Sequence, residues 1–189
     1  MIDAPSVPPA LVIKRLMDCE PGARAALVDG IERIFVETTT QDFSDAAECQ
    51  AFRDLWLGQY LERDREHVFL ALDRGGSVAG YLVGCWDHLI LSGRFAALGY
   101  VAAFAGVADR YPAHLHVNVT ASARSQGVGA QLVEAFCART AAAGLTGVHV
   151  VTRSDARNVR FYHRLGFLER GRTMWNGNAV VFLGRDLVA

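Results

Sequence analysis

The chain has 189 residues, 51% of them hydrophobic and 21% charged, with a formal net charge of −1. That balance belongs to a folded globular protein and excludes the disordered class, and the length suits one domain with a sizeable core. No block of basic residues offers the phosphate neutralisation a nucleic-acid partner needs, so none is expected.

The N-terminal residues 1–9 carry Pro5, Pro8 and Pro9 and read as a flexible tail, with residues 10–189 as a single domain. MIDAPSVPPA has no basic region followed by an apolar run, so a signal peptide is not expected. Leu11 to Met17 read as a strand. Glu20-Pro21 opens a helix whose face is Leu27, Ile31, Ile34 and Phe35. A second helix starts near Ser44, with Cys49, Phe52, Trp56 and Tyr60 as its apolar stripe. His67 to Leu72 and Val78 to Trp86 form a hairpin around Arg74-Gly75-Gly76-Ser77.

An apolar insertion, expected to be helical, occupies about 88–110. Its densest part, Phe95 to Ala108, is interrupted by Gly99 and Gly106. It is shorter than the ~20 residues a bilayer requires, so no membrane partner is expected. His114 to Thr120 form the next strand, with Leu115, Val117 and Val119 alternating against His114, His116 and Asn118. A helix from near Gly127 buries Val128, Leu132, Val133, Phe136 and Cys137 and ends at Gly144. Gly147 to Thr152 form a strand, Asp155 to Leu165 a helix, and Phe167 onward two strands ending near Leu187. Cys19, Cys49, Cys85 and Cys137 are far apart, without metal-ligand spacing, and read as buried thiols of a cytoplasmic protein.

The chemistry concentrates in Arg124-Ser125-Gln126-Gly127-Val128-Gly129-Ala130, between a strand and an amphipathic helix. The first turn of a helix has unpaired N–H groups and the positive end of the macrodipole. Two glycines there remove Cβ atoms that would keep a phosphate away. Successive N–H groups can then wrap a diphosphate, with Arg124 adding charge. A P-loop would need GxxxxGK[ST], and no lysine is near. A dinucleotide fingerprint would need a third glycine where Leu132 stands.

What remains, [QR]xxGx[GA], resembles the coenzyme A loop of the GNAT acetyltransferase superfamily. Further on, Asp155-Ala156-Arg157-Asn158-Val159-Arg160-Phe161-Tyr162-His163-Arg164-Leu165-Gly166-Phe167 is similar to that family's NxxAxxxYxxxGF segment, with Tyr162, Gly166 and Phe167 in register. The element order agrees as well. The resemblance implies an α/β (α+β) GNAT fold: a central mixed, mostly antiparallel sheet of about seven strands with helices on both faces.

It also implies acetyl-CoA as cosubstrate and no metal. Val117, Asn118 and Val119 would run along the pantetheine arm, and Arg124, Ser125, Gln126, Gly127, Val128, Gly129 and Ala130 would hold the diphosphate. Tyr162 falls at the general acid that protonates the departing thiolate, and Phe161 fits the apolar residue before it. Asp155 replaces the common asparagine and is read as a helix cap; it is included with Phe161 and Asn158 among the implied coenzyme-binding residues. Asn158 stands where a smaller residue is commoner and is offered as the polar contact instead.

The strand position at which some members carry a glutamate base holds Val150. His114 and His116 are therefore the candidate bases, since an imidazole titrates near neutrality. His-x-His on this strand is also similar to arylalkylamine acetyltransferases, but its offset from the glycine loop differs and that role is not carried over. His67, His149 and His163 are read as incidental.

Tyr111-Pro112-Ala113-His114-Leu115-His116 resembles bacterial acetyltransferases related to the C-terminal domain of O-GlcNAcase. The implied activity is acetyl transfer to a small amine-bearing acceptor, with a non-catalytic acyl-CoA-binding module as the alternative. Phe43, Trp56, Tyr60 and Trp86 are offered around the acceptor. The insertion provides a surface for a second subunit, so a homodimer is allowed.

Overall fold

A computed structural model describes residues 11–187. The expected tail at 1–9 lies outside the described residues. The sheet has seven strands in the order β1-β2-β3-β4-β5-β7-β6. They are β1 (Val12–Arg15), β2 (Val68–Leu72), β3 (Val78–Cys85), β4 (Ala113–Val119), β5 (Gly147–Arg153), β6 (Leu168–Trp175) and β7 (Asn178–Asp186). The helices are α1 (Arg24–Thr38), α2 (Ala46–Arg53), α3 (Gln59–Arg63), α4 (Ala105–Ala108), α5 (Val128–Ala142) and α6 (Asn158–Arg164). This is the mixed α/β architecture expected, and the element boundaries fall within a few residues of the periodicity.

The chain groups into two compact units. Among the described residues, one takes the chain up to Val83 with Val117–Ala135, the other Gly84–His116 with the chain from Phe136 onward. In the first, β1, β2 and β3 pair antiparallel. The hairpin turn is held by Asp73, whose carboxylate accepts from the N–H groups of Gly75 and Ser77, both at 2.9 Å. Helix α1 buries Leu27, Ile31, Ile34 and Phe35, the spacing of one helical face. At Gly30 a Cβ would lie 2.8 Å from Val78, so a side chain there would push the helix off β3.

Helix α2 opens with a reciprocal cap. Asp45 accepts from the Glu48 N–H at 2.8 Å, and the Glu48 carboxylate accepts from the Ser44 N–H at 2.8 Å. The second helix is not continuous as expected: Asp54–Gly58 form a π-helical turn between α2 and α3. Arg53 there bonds the Glu32 carboxylate of α1. Cys49 corrects the sequence reading twice. It is exposed, so it is neither a buried thiol nor part of the stripe, because α2 buries none of its residues.

The second unit pairs β5 with β7 and β7 with β6, all antiparallel. Its core includes Phe95, Phe104, Tyr111, Phe136, Phe167 and Phe182. Gly84 and Gly184 are small by necessity, since a Cβ would strike the Phe136 ring at the first and the Tyr111 ring, at 2.9 Å, at the second.

The insertion differs from the expected helix. It runs as turns to Tyr100, then a 3₁₀ turn at Val101–Phe104 and the four-residue α4. Gly93, at φ +66°, is one reason a helix does not propagate there. Phe95, Leu98, Tyr100, Val101 and Phe104 are all buried. His88 closes the segment: its Nε2 lies 2.9 Å from the Asp109 carboxylate, and its Nδ1 accepts from the N–H groups of Ile90 and Leu91.

Candidate active site

In the first unit, the end of β4 leads through a 3₁₀ turn at Ala121–Ala123 to the start of α5. Arg124, Ser125, Gln126 and Gly127 are all exposed. Ser125 (φ 61°) and Gly127 (φ 77°) both adopt the left-handed conformation. For Ser125 that conformation costs about 1–3 kcal/mol, and such residues gather at ligand clamps. A Cβ on Gly127 would meet nothing within 4 Å, so the glycine is required by its φ and opens onto free space.

The Gln126 side chain donates to the Ser122 carbonyl at 2.6 Å and closes the turn. Helical bonding begins with the Gln131 N–H to the Gly127 carbonyl at 3.0 Å. The N–H groups of the turn before it have no helical acceptor. Val128 is buried while Gly129 and Ala130 are half-buried, so the loop is anchored from below and polar above. Upstream, Val117, Asn118 and Val119 are half-buried, and the Asn118 amide donates to the Tyr81 hydroxyl at 2.9 Å.

In the second unit, β4 pairs in parallel with β5 at Ala113↔Val148 and His114↔His149, at the start of both strands. Tyr162, on α6, is buried between Phe161 (5.0 Å between ring centroids) and Phe167 (5.4 Å). Among the described residues its hydroxyl has no hydrogen-bond partner. Burial raises its pKa above the ordinary phenol value, so at neutral pH it holds its proton.

His114 is buried, and desolvation first, then His149, His116 and Arg94, hold its pKa well below the ordinary imidazole value. His116 is half-buried, with its pKa pushed down by burial to about 4. His149 is buried and pushed to about 4 as well, although the Tyr111 and Ala113 carbonyls pull the other way. All three are therefore neutral at pH 7, and a neutral imidazole has the lone pair a base requires.

Residues 28–167 match the model of a family described as the acetyltransferase (GNAT) family. The chain belongs to the GNAT acetyltransferase family.

Among solved structures, the GNAT chain is similar to SsHAT, with a TM-score of 0.64 and 23% identity over 96% of this chain and 100% of that one. It is also similar to a chain of the NatC complex bound to Gag peptide and CoA, with a TM-score of 0.62 and 16% identity over 94% and 99% of the two chains. A third is Chaetomium thermophilum Naa20 in complex with a bisubstrate analogue, with a TM-score of 0.61 and 17% identity over 93% and 86%. At these identities the likeness is one of fold.

Several expected site residues have other attachments in this GNAT chain. Asp155 does not cap α6, whose N-cap is Arg157 without a side-chain bond. Its carboxylate instead pairs with Arg153, at 2.8 and 3.1 Å. Asn158 accepts from the Thr152 hydroxyl at 3.1 Å, which ties α6 to the end of β5. Phe161 is half-buried against Tyr162. Trp86 donates to the Thr140 hydroxyl at 3.1 Å beneath the Arg139 guanidinium, and Tyr60 is buried. Phe43, Phe52 and Trp56 form a half-buried aromatic run in the first unit, at 5.3 and 6.2 Å between centroids.

His149, read from the sequence as incidental, lies beside His114 with 5.4 Å between ring centroids, on the strand that pairs with β4. Among the described residues no group of three or more His, Cys, Asp or Glu could hold a metal ion. No helix among them is long and apolar enough to cross a membrane.

Proposed function

We propose that this chain is an acetyl-CoA-dependent N-acetyltransferase that passes the acetyl group to the amine of a small molecule or peptide by direct attack. The observation that carries this is the exposed, left-handed glycine turn at the head of α5, with two residues at positive φ and its main chain open. Such a turn is a diphosphate cradle. Arg124 through Ala130 would hold the diphosphate, and the half-buried Val117–Val119 backbone would bond the pantetheine amides as a neighbouring strand would. A main-chain N–H near Val119 suits the thioester carbonyl, whose oxygen gains charge as the amine attacks.

Tyr162 supplies the proton to the leaving thiolate. Its hydroxyl is protonated at neutral pH and has no competing bond, and it returns to its phenol form from water after product release. His116 and His114 take the proton lost by the amine. The aromatic run of Phe43, Phe52 and Trp56 suits an acceptor with an apolar body. The Tyr111–His116 stretch supports kinship with bacterial acetyltransferases resembling the C-terminal domain of O-GlcNAcase, and a cytoplasmic location is part of the same reading.

A non-catalytic acyl-CoA-binding module is the second reading, favoured by one observation: Val150 is buried and apolar where a carboxylate base would serve. Turnover on a panel of amines and peptides, read by mass spectrometry, separates the two. Acetylated product is expected. Saturable acetyl-CoA binding without product on any acceptor would favour the module.

A further inference from the structure

The end of β4 is fastened to β3 by contacts that all fall within the first unit. The Ala79 carbonyl accepts from the Thr120 N–H at 2.9 Å and from the Thr120 hydroxyl at 3.1 Å. A Cβ on Gly80 would lie 2.8 Å from the Val119 side chain and 3.2 Å from the Asn118 carbonyl oxygen, so the two strands come close there. The Asn118 amide donates to the Tyr81 hydroxyl at 2.9 Å. Ala79, Gly80 and Tyr81 thus meet Thr120, Val119 and Asn118 in reverse order, an antiparallel register fixed at each step.

Core packing alone does not account for this arrangement. Tyr81 is 1% exposed, and burying its hydroxyl costs a desolvation that phenylalanine would not incur. Asparagine is a poor strand former, yet Asn118 stands between two valines that suit a strand well. Alternating valines tolerate a slip, and a slip of one residue would turn every side chain of the segment to the other face. The Tyr81–Asn118 bond and the notch at Gly80 both select against it. Ala79 adds a further device. Ala71 pairs with Gly80 and Leu72 with Val78, so Ala79 is the extra residue of a bulge, a feature that re-aims strands beside functional sites.

We propose that Tyr81 is a positioning residue for the coenzyme: through Asn118 it sets the register and tilt at which the Val117–Val119 main chain meets the pantetheine arm. This rests on the acetyl-CoA reading of the site. β4 stands between β3 and β5 in the sheet, so the β3 side of the strand is taken by the clamp and the other edge is the one left for pantetheine. Hydrogen bonds to the arm weaken steeply with misalignment, and a main chain already held in place loses little freedom when the arm binds. The diphosphate turn is closed separately, by the bond from Gln126 to the Ser122 carbonyl, and does not depend on Tyr81.

The test is calorimetry on the full chain with two probes. One is coenzyme A; the other is adenosine 3′-phosphate 5′-diphosphate, which carries the same phosphates without pantetheine. Tyr81→Phe is expected to weaken coenzyme A by about tenfold and the second probe by less than about twofold, a split that general loss of structure would not produce. Asn118→Leu should do the same. The double variant should be no weaker than either single one, because all three remove one bond.

Equal weakening of both probes overturns the proposal, as does unchanged coenzyme A affinity in Tyr81→Phe. Effects that multiply in the double variant overturn it too, since the two side chains would then act separately. If Tyr81→Phe does not fold, Thr120→Val, at the half-buried end of the strand, carries the same test: it removes the hydroxyl bond to Ala79 and keeps the N–H. Loss of coenzyme A affinity alone is again expected, and equal loss for both probes overturns the positioning role. A wild-type protein that binds neither probe sinks the coenzyme reading itself. Binding of both that Tyr81→Phe leaves unmoved sinks only the positioning role.

Discussion

In the turn at the head of α5, Arg124, Ser125, Gln126 and Gly127 are exposed, whereas at the histidine cluster His114 and His149 are buried and His116 is half-buried. The turn is built to meet charge: main-chain N–H groups without helical acceptors, two positive φ angles and an arginine. The cluster is built to exclude charge, with aromatic rings on its outer sides and imidazoles held neutral by desolvation. In the proposed transfer from an anionic coenzyme to an uncharged amine nitrogen, each environment would have its own use, the first in the backbone and the second in desolvated side chains.

The largest effect tests the backbone half. Gly129→Glu places bulk and negative charge in the first turn of α5, and calorimetry should show coenzyme A binding abolished. Unchanged affinity would mean that this turn is not the anion site, and the contrast between the two regions would lose its first member.

Next comes Tyr162→Phe. Because the hydroxyl makes no hydrogen bond among the described residues, the ring should repack without loss and the fold should stay intact. Turnover is expected to fall by about 10²–10⁴-fold with coenzyme affinity nearly unchanged. A comparable loss of affinity would make the tyrosine a packing residue.

These two regions also differ in how far the sequence reveals them. The turn is local: glycine spacing, a preceding strand and a following amphipathic helix lie within one stretch, and φ preferences act residue by residue. The cluster depends on the pairing of β4 with β5, which sets His149 beside His114 and is not encoded in either strand alone. Alternation on β4 also misleads, since His114, on the polar side of the pattern, is as buried as Leu115. Cys49 and the insertion fail for related reasons. A stripe shows which residues share a face but not whether anything covers it, and apolar composition shows burial but not the turns around Gly93.

The cluster half makes an acid-stability prediction. The ordinary imidazole pKa is ~6.5, while His116 and His149 are depressed to about 4 in the folded protein. Between these values the unfolded chain binds protons that the native one does not, so stability rises with pH through this window. Each unit is worth about 1.4 kcal/mol per site. Calorimetry should therefore show the melting temperature falling as pH drops from 7.5 towards 4.5, and His149→Phe should flatten that slope. An equal slope in the variant would mean that His149 is protonated alike in both states.

The smallest effect sharpens the boundary of the anion site. The resemblance implies a coenzyme contact and a helix cap at Asp155. Its carboxylate does not cap α6 but pairs with Arg153, and both side chains are mostly solvent-exposed. An exposed pair is screened by water and salt and contributes little to stability. Asp155→Ala should thus leave the melting temperature and coenzyme affinity close to wild type. It also frees a guanidinium at the end of β5, so any change in affinity should be a slight gain that vanishes at high salt. A large loss instead would mean that a carboxylate takes part in holding a diphosphate, and the separation between a backbone anion site and side-chain chemistry would have to be drawn elsewhere.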